Sequence, residues 1–287
     1  MNALLERARS LGGTAVSAIK ELSRIPAESA RHRPRPPSDG LVLDVGGGQS
    51  PHPRANVVVD KYVVDDFERA GPLELAQPLI VADGHRLPFA AGTFAYVIAM
   101  HVLEHATDPV RFASELARVA EAGFVQLPSR ESELTFGWPF HPWLVDREDS
   151  TLVFRPKGER RAHMGSFFHE SYNDSALMRL WWASNRSRWH HSLEWRGRLD
   201  VRVEGESAAD QTAALDVGRT VAALAQLSEQ RRLVPLSEPL RDALRCPICG
   251  GTLASEPGRL SCRECGRSYP IVGEVPVLLE EAVGPGP

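Results

Sequence analysis

Leu41 to Gly48 reads LVLDVGGG: a short apolar run that ends in an acid and then in three glycines. A run of this length, apolar throughout rather than alternating, is the pattern of a parallel strand buried on both faces. Working outward, Asn56 to Asp60 (NVVVD) and Pro78 to Asp83 (PLIVAD) repeat it, each again closing on an acid. Phe94 to Met100 (FAYVIAM) and Gly123 to Leu127 (GFVQL) give a fourth and a fifth strand. Between these two, Pro109 to Ala120 places Phe112, Leu116 and Val119 on one helical face, with Asp108 as the N-cap. Strands alternating with helices predict an α/β fold built on a doubly wound parallel sheet.

The flanks read differently. Met1 to Ile25 carries Leu4, Leu5, Leu11, Ile19 and Leu22 at helical spacing and predicts a helix packed on the main domain. Arg31 to Gly40 (RHRPRPPSDG) reads as a linker, so 1–39 forms an N-terminal helix and tether. Residues 129–173 read as an irregular, aromatic-rich insertion. Ser175 to Asn185 reads as a helix, and Arg188 to Trp195 with Leu199 to Glu204 as a hairpin. Ala208 to Gln230 reads as a long helix that closes a domain spanning 40–232. Leu233 to Pro239 then links to a small module at 240–281.

Among 287 residues, 43% are hydrophobic and 24% charged, enough for one sizeable core and a small satellite. The net charge of −4 makes a large nucleic-acid footprint unlike this chain, because phosphate binding calls for a basic surface. No apolar run nears the roughly 20 residues of a membrane span, and no export signal is evident, so the expected compartment is the cytoplasm.

Glycines after a first strand let a ligand approach the backbone, and a helix start there offers free N–H groups. A dinucleotide fingerprint needs a glycine where this chain has Pro51, so a pyrophosphate cradle is not expected. Asp44, just ahead of the glycines, suits a ligand bearing an ammonium group. Asp60 is placed to accept two ribose hydroxyls, and Asp83, followed by Gly84, to accept from an adenine amino group. Three acids at three successive strand ends face one crevice.

Residues 41–128 resemble the class I S-adenosylmethionine (SAM)-dependent methyltransferases, in particular the ubiquinone-biosynthesis-like group. LVLDVGGG, then Asp83 to Phe89 (DGHRLPF), then Gly92 to Ala120 (GTFAYVIAMHVLEHATDPVRFASELARVA) carry the resemblance. It implies a Rossmann-like methyltransferase sheet with SAM as cofactor. Asp44, Gly46 and Gly48 would surround the methionine part, Asp60 the ribose, and Asp83 with Gly84 the adenine, while His101 would line the methionine side. Two positions depart from the family: Ala95 stands where an Asp is common, and Ser50 replaces the third motif glycine.

All four cysteines form one pattern, Cys246-x-x-Cys249 and Cys262-x-x-Cys265, which is a spacing for structural Zn²⁺. Together with Ser268 to Leu279 (SYPIVGEVPVLL), the module resembles the small zinc-ribbon activator subunit that partners tRNA, ribosome and release-factor methyltransferases. That resemblance implies a stabiliser packed in cis on the methyltransferase domain.

The methyl acceptor is the least defined part. All six tryptophans lie between 138 and 195, and Gly137 to Asp146 (GWPFHPWLVD) is the densest stretch. It is read either as a satellite core or as an aromatic-walled pocket for a small-molecule or sugar-like acceptor. His141 is the candidate general base, with His105 and His169 as the weaker alternatives. The expected reaction is transfer of a methyl group from SAM to a small or medium acceptor, at oxygen. An RNA or protein acceptor docked by the zinc module is the alternative, and a non-catalytic binding protein is the third reading.

Overall fold

The computed structural model describes residues 19–64, 69, 71–158, 164–205 and 215–282. Helix α1 spans 19–31. The predicted strands form β1 (Val42–Val45), β2 (Val57–Asp60), β3 (Leu79–Ala82), β4 (Tyr96–Met100) and β5 (Ala122–Pro128). Helix α2 (Pro109–Val119) begins at the Asp108 side chain, which accepts from the Arg111 N–H. The sheet runs β3-β2-β1-β4-β5 with every pair parallel. Strand order therefore reverses at β1 and β4, the place where open parallel sheets leave a crevice.

Downstream of β5 the chain departs from the expected outline. The stretch 129–173 is not irregular: it holds α3 (Arg130–Phe136), an antiparallel pair β6 (Trp143–Glu148) and β7 (Thr151–Pro156), and α4 (Gly165–Asp174). Helices α5 (Ala176–Ser184) and α6 (Arg186–Trp189) follow. The hairpin expected at 188–204 does not form. Its first arm, β8 (His190–Arg196), pairs antiparallel with β5, and its second, β9 (Val201–Val203), pairs parallel with β7 in a separate three-stranded sheet. Both arms alternate in burial, so local pattern left their partners open.

The crossover from β1 to β2 lacks the helix that a doubly wound sheet usually supplies. Residues 46–56, between β1 and β2, are turns only, so the glycine loop opens no helix. The face this leaves bare is covered from the far end of the chain. Leu224 of helix α7 (Val217–Gln230) joins Val58, Leu79 and Val81 in one buried apolar cluster. This helix was expected from Ala208, but it begins at the Asp216 cap, and 206–214 lie outside the described residues.

The terminal module is continuous with the sheet. After α8 (Glu238–Asp242) come β10 (Leu253–Glu256), β11 (Arg259–Cys262), β12 (Ser268–Val272) and β13 (Val275–Leu278). Strand β13 pairs parallel with β3, with Val277 opposite Val81 and Leu278 opposite Ala82, giving one ten-stranded sheet. All four β13 residues are buried. Leu240, Leu244, Leu260, Tyr269 and Leu278 join the same core as Val57, Ile80, Phe89 and Phe112. The stretch 233–239 is thus no loose linker, since Leu233 and Leu236 are buried.

The N-terminal helix packs by polar contacts. Ile19 and Leu22 are exposed, while the Glu28 carboxylate accepts from the Ser187 N–H at 2.7 Å and His32 Nδ1 lies 2.6 Å from Ser192 Oγ. The part of the predicted helix before residue 19 lies outside the described residues. The Ala95 departure has a steric reason: Gly40, at φ 87°, sits where a Cβ would lie 2.6 Å from Ala95 Cβ, so the linker crosses where a larger side chain would stand.

Candidate cofactor cleft and four-cysteine centre

The C-terminal ends of β1, β2 and β3 bring Asp44, Asp60 and Asp83 to one cavity of about 880 Å³. Gly46, Gly48, Gly84 and His101 line the same cavity. Asp44 is buried and accepts from the His52 N–H at 2.7 Å. Burial pushes its carboxyl up to about 7, with the His52 bond opposing and the Asp60 charge adding. Among the described residues no cation pairs with it. A buried acid facing a cavity without a cationic partner calls for a cationic ligand group, and the α-ammonium of SAM is one. Gly46, at φ 70°, leaves open a space where a Cβ would meet Val102 at 2.8 Å.

Asp60 accepts from the Tyr62 N–H at 3.0 Å and stands 3.6 Å from Arg69 Nη2. Asp83 is already engaged at both oxygens. Lys61 Nζ donates to Oδ2 at 2.8 Å, and the His85 N–H donates to Oδ1 at 2.8 Å, with His85 Nδ1 2.7 Å from that same atom. Burial raises its pKa, but these contacts outweigh burial and hold it well below the usual carboxylate range. An adenine amino group at Asp83 would compete with them. Gly84 has a packing reason of its own, because a Cβ there would lie 2.2 Å from the Phe112 ring.

His101 ends β4 in the left-handed region, φ 56°, with Nδ1 3.3 Å from Glu104 Oε1. A non-glycine residue held there is strained, as often happens beside a ligand. His141 does not line the cavity. It is buried, with Nδ1 2.7 Å from Glu133 Oε2, and its ring meets that of His105 edge-on at 4.6 Å. Burial holds its pKa below the ordinary value, although Glu133 pulls the other way. Of the two, His105 is the one at the cleft wall.

The tryptophans do not wall the cleft either. Trp182 and Trp189 stack at 4.6 Å, Phe136 stacks on Trp138 at 5.4 Å, and Trp143 is buried with Nε1–H donated to the Ala106 carbonyl at 2.7 Å. No tryptophan lies among the cavity's lining residues, which corrects the aromatic-pocket expectation in favour of a satellite core. His105, an alternative base in the sequence reading, lines the cavity, as do four residues that reading missed: Arg33, Lys61, Arg69 and Arg186. Lys61 adjoins a flagged acid, Asp60. Arg33 and Arg186 carry no local signal, since only the fold brings them to the mouth.

At the other end of the sheet the Sγ atoms of Cys246, Cys249, Cys262 and Cys265 lie within 4.8 Å of one another. Cys246 and Cys265 are 3.7 Å apart and Cys249 and Cys262 3.5 Å, far beyond a disulfide bond. Zn–S bonds of about 2.3 Å in a tetrahedron put sulfurs about 3.8 Å apart, so the cluster fits zinc. The buried Tyr269 hydroxyl lies 3.2 Å from Cys246 Sγ, where it can donate to a thiolate.

The parallel sheet, with a cleft at the ends of its strands, is the kind of site open α/β folds use for ligands. Residues 53–124 match the methyltransferase domain family, and residues 239–274 match the Trm112p-like protein family. No curated protein matches it. Among solved structures, a Bacillus halodurans protein described as a methyltransferase candidate is 18% identical with a TM-score of 0.27, covering 37% of this chain and 52% of its own. A complex containing the Trm112 methyltransferase activator of Haloferax volcanii is 15% identical with a TM-score of 0.35, covering 61% and 89%. A SAM-dependent methyltransferase from Mesorhizobium loti is 13% identical with a TM-score of 0.29, covering 56% and 79%. The chain thus spans about half the length of the first of these and most of the other two. No helix among the described residues is long and apolar enough to cross a membrane.

Proposed function

We propose that the chain transfers the methyl group of SAM to a hydroxyl oxygen of a small or medium acceptor that enters beside His101. The observation that carries the cofactor half is Asp44, buried and without a cation at the floor of a cavity at the reversal point of the sheet. SAM, when bound, supplies an electrophilic methyl group on a sulfonium. Asp44 would hold the ammonium end, with Gly46 and Gly48 against the methionine part and Asp60 on the ribose. Asp83 and Gly84 would border the adenine. This order along the strand ends leaves the β4 end, with His101 and His105, for the acceptor.

The chain's own work is then alignment and proton handling. Methyl transfer in line needs close approach above all. His105, at the cavity wall, can take the hydroxyl proton, with His141 behind it as a positioning residue rather than the base itself. His32, Arg33 and Pro34 border the same cavity, which makes it a recess and supports a compact acceptor.

An RNA or protein acceptor is the second reading, and the Trm112-like domain favours it. Labelled SAM added with the protein to a fractionated cell extract separates the two. Label in the small-molecule fraction, lost with His105→Ala, supports the proposal. Label confined to RNA or protein establishes the second reading.

A further inference from the structure

Three side chains converge beneath the acceptor end of the cleft. Glu104, His105 and His141 each offer one ligand atom, and these atoms lie within 4.8 Å of one another. Glu104 is 2% exposed, and neither of its oxygens receives a hydrogen bond of good geometry; His101 Nδ1 lies 3.3 Å from Oε1. A buried carboxylate left so bare is costly unless a cation faces it.

His141 is set up on its far side. Its Nδ1 lies against Glu133, and Glu133 is in turn paired with the buried Lys157. A carboxylate on Nδ1 keeps the proton there and leaves the Nε2 lone pair for something else. The same relay of carboxylate and imidazole stands behind histidines that bind metals. The chain buries a lysine, a glutamate and a histidine together to orient this one ring.

We propose that Glu104, His105 and His141 form a second metal centre, which takes a divalent first-row transition ion. Two imidazoles and one carboxylate suit that class of ion, whereas the four thiolates at the far end of the sheet suit zinc. Metal–nitrogen bonds of about 2.1 Å require the ligand atoms to draw in by roughly 1 Å. Three protein ligands leave positions open, and His105 puts them at the cleft wall. A hydroxyl bound there would lose its proton more readily, as metal-bound water does, and His105 would then serve as a ligand in place of its role as base. The ligand set stands on geometry alone, so the centre can be tested whether or not methyl transfer is the reaction.

The test uses the full chain with its four-cysteine site filled with zinc. Mn²⁺ prefers carboxylate and imidazole to thiolate, so it reports on the second centre alone. Titration with Mn²⁺, followed by the paramagnetic resonance of the free ion, should show one saturable equivalent per chain. Glu104→Gln and His105→Ala should each weaken that binding at least tenfold while zinc stays at one per chain. Thermal melts establish that each variant is folded. If Glu104→Gln does not fold, His105→Ala decides, since it sits at the cleft wall. The proposal is overturned if the zinc-filled protein binds neither Mn²⁺ nor further Zn²⁺ saturably up to about 1 mM, or if folded His105→Ala binds Mn²⁺ as the parent does.

Discussion

Asp44 sits at the cleft floor with its carboxyl pushed up to about 7, so its charge varies near neutral pH. Its folded pKa lies above the unfolded value. The empty protein therefore gains stability from this group as pH falls from about 7 towards 3.8, and loses it as pH rises through 7. A cationic ligand reverses the preference, because it pairs with the ionised form. Calorimetry at pH 6 in buffers of different ionisation enthalpy should thus show a proton released on SAM binding, and Asp44→Asn should abolish the release. Gly84 belongs to this scale as well. Gly84→Ala would drive a methyl group into the Phe112 ring and should cost about 1–3 kcal/mol in chemical denaturation, with or without ligand. Sequence reading marked Asp44 from its place before the glycines. It could not see Phe112 behind Gly84, or Lys61 on Asp83, because those neighbours meet only once the chain is folded.

Among the elements, β13 has the largest consequence. It closes the edge of β3, so the zinc ribbon is part of the main sheet and not an appendage. A module this small gains much of its folding free energy from its metal. Chelation should therefore release β13 and uncover β3, and hydrogen exchange at Leu79 to Ala82 should rise along with that of residues 253–278. Unchanged protection of β3 in zinc-free protein would show that the seam holds without the metal. The five parallel strands were legible because each is apolar throughout and bounded by an acid or a turn. Strands β6 to β9 were not, since their pairing depends on residues far apart in the chain. The missing β1–β2 crossover helix was equally hidden, because α7 joins this side of the sheet from well over a hundred residues later.

Seen whole, the molecule gathers neutral histidines on one flank of the cleft. Burial pushes His190 down to about 2, with His101 and Arg186 adding to the effect, and burial also lowers His32, His141 and His191. Each has a folded pKa below its unfolded value, so its contribution is present above about 6.5 and is lost as pH falls below that. Asp44 works in the opposite direction over part of this range, but it is one group against four. The melting temperature should therefore be lower at pH 5.5 than at pH 7.5, and an equal or higher value at pH 5.5 would contradict the neutral-histidine assignment. The two-part plan of the chain, a parallel sheet followed by a four-cysteine module, was legible from strand patterns and cysteine spacing. That the two parts share one sheet was not, because SYPIVGEVPVLL does not say which edge it will meet.

The central claim is that the cleft at β1 and β2 holds SAM, and calorimetric titration of the purified chain with SAM tests it most directly. One site per chain is expected, with Asp60→Ala weakening it by about 1.5–3 kcal/mol, the value of hydrogen bonds to a charged group, or roughly 10- to 150-fold. No saturable binding, or equal affinity in the parent, Asp44→Ala and Asp60→Ala, would contradict it.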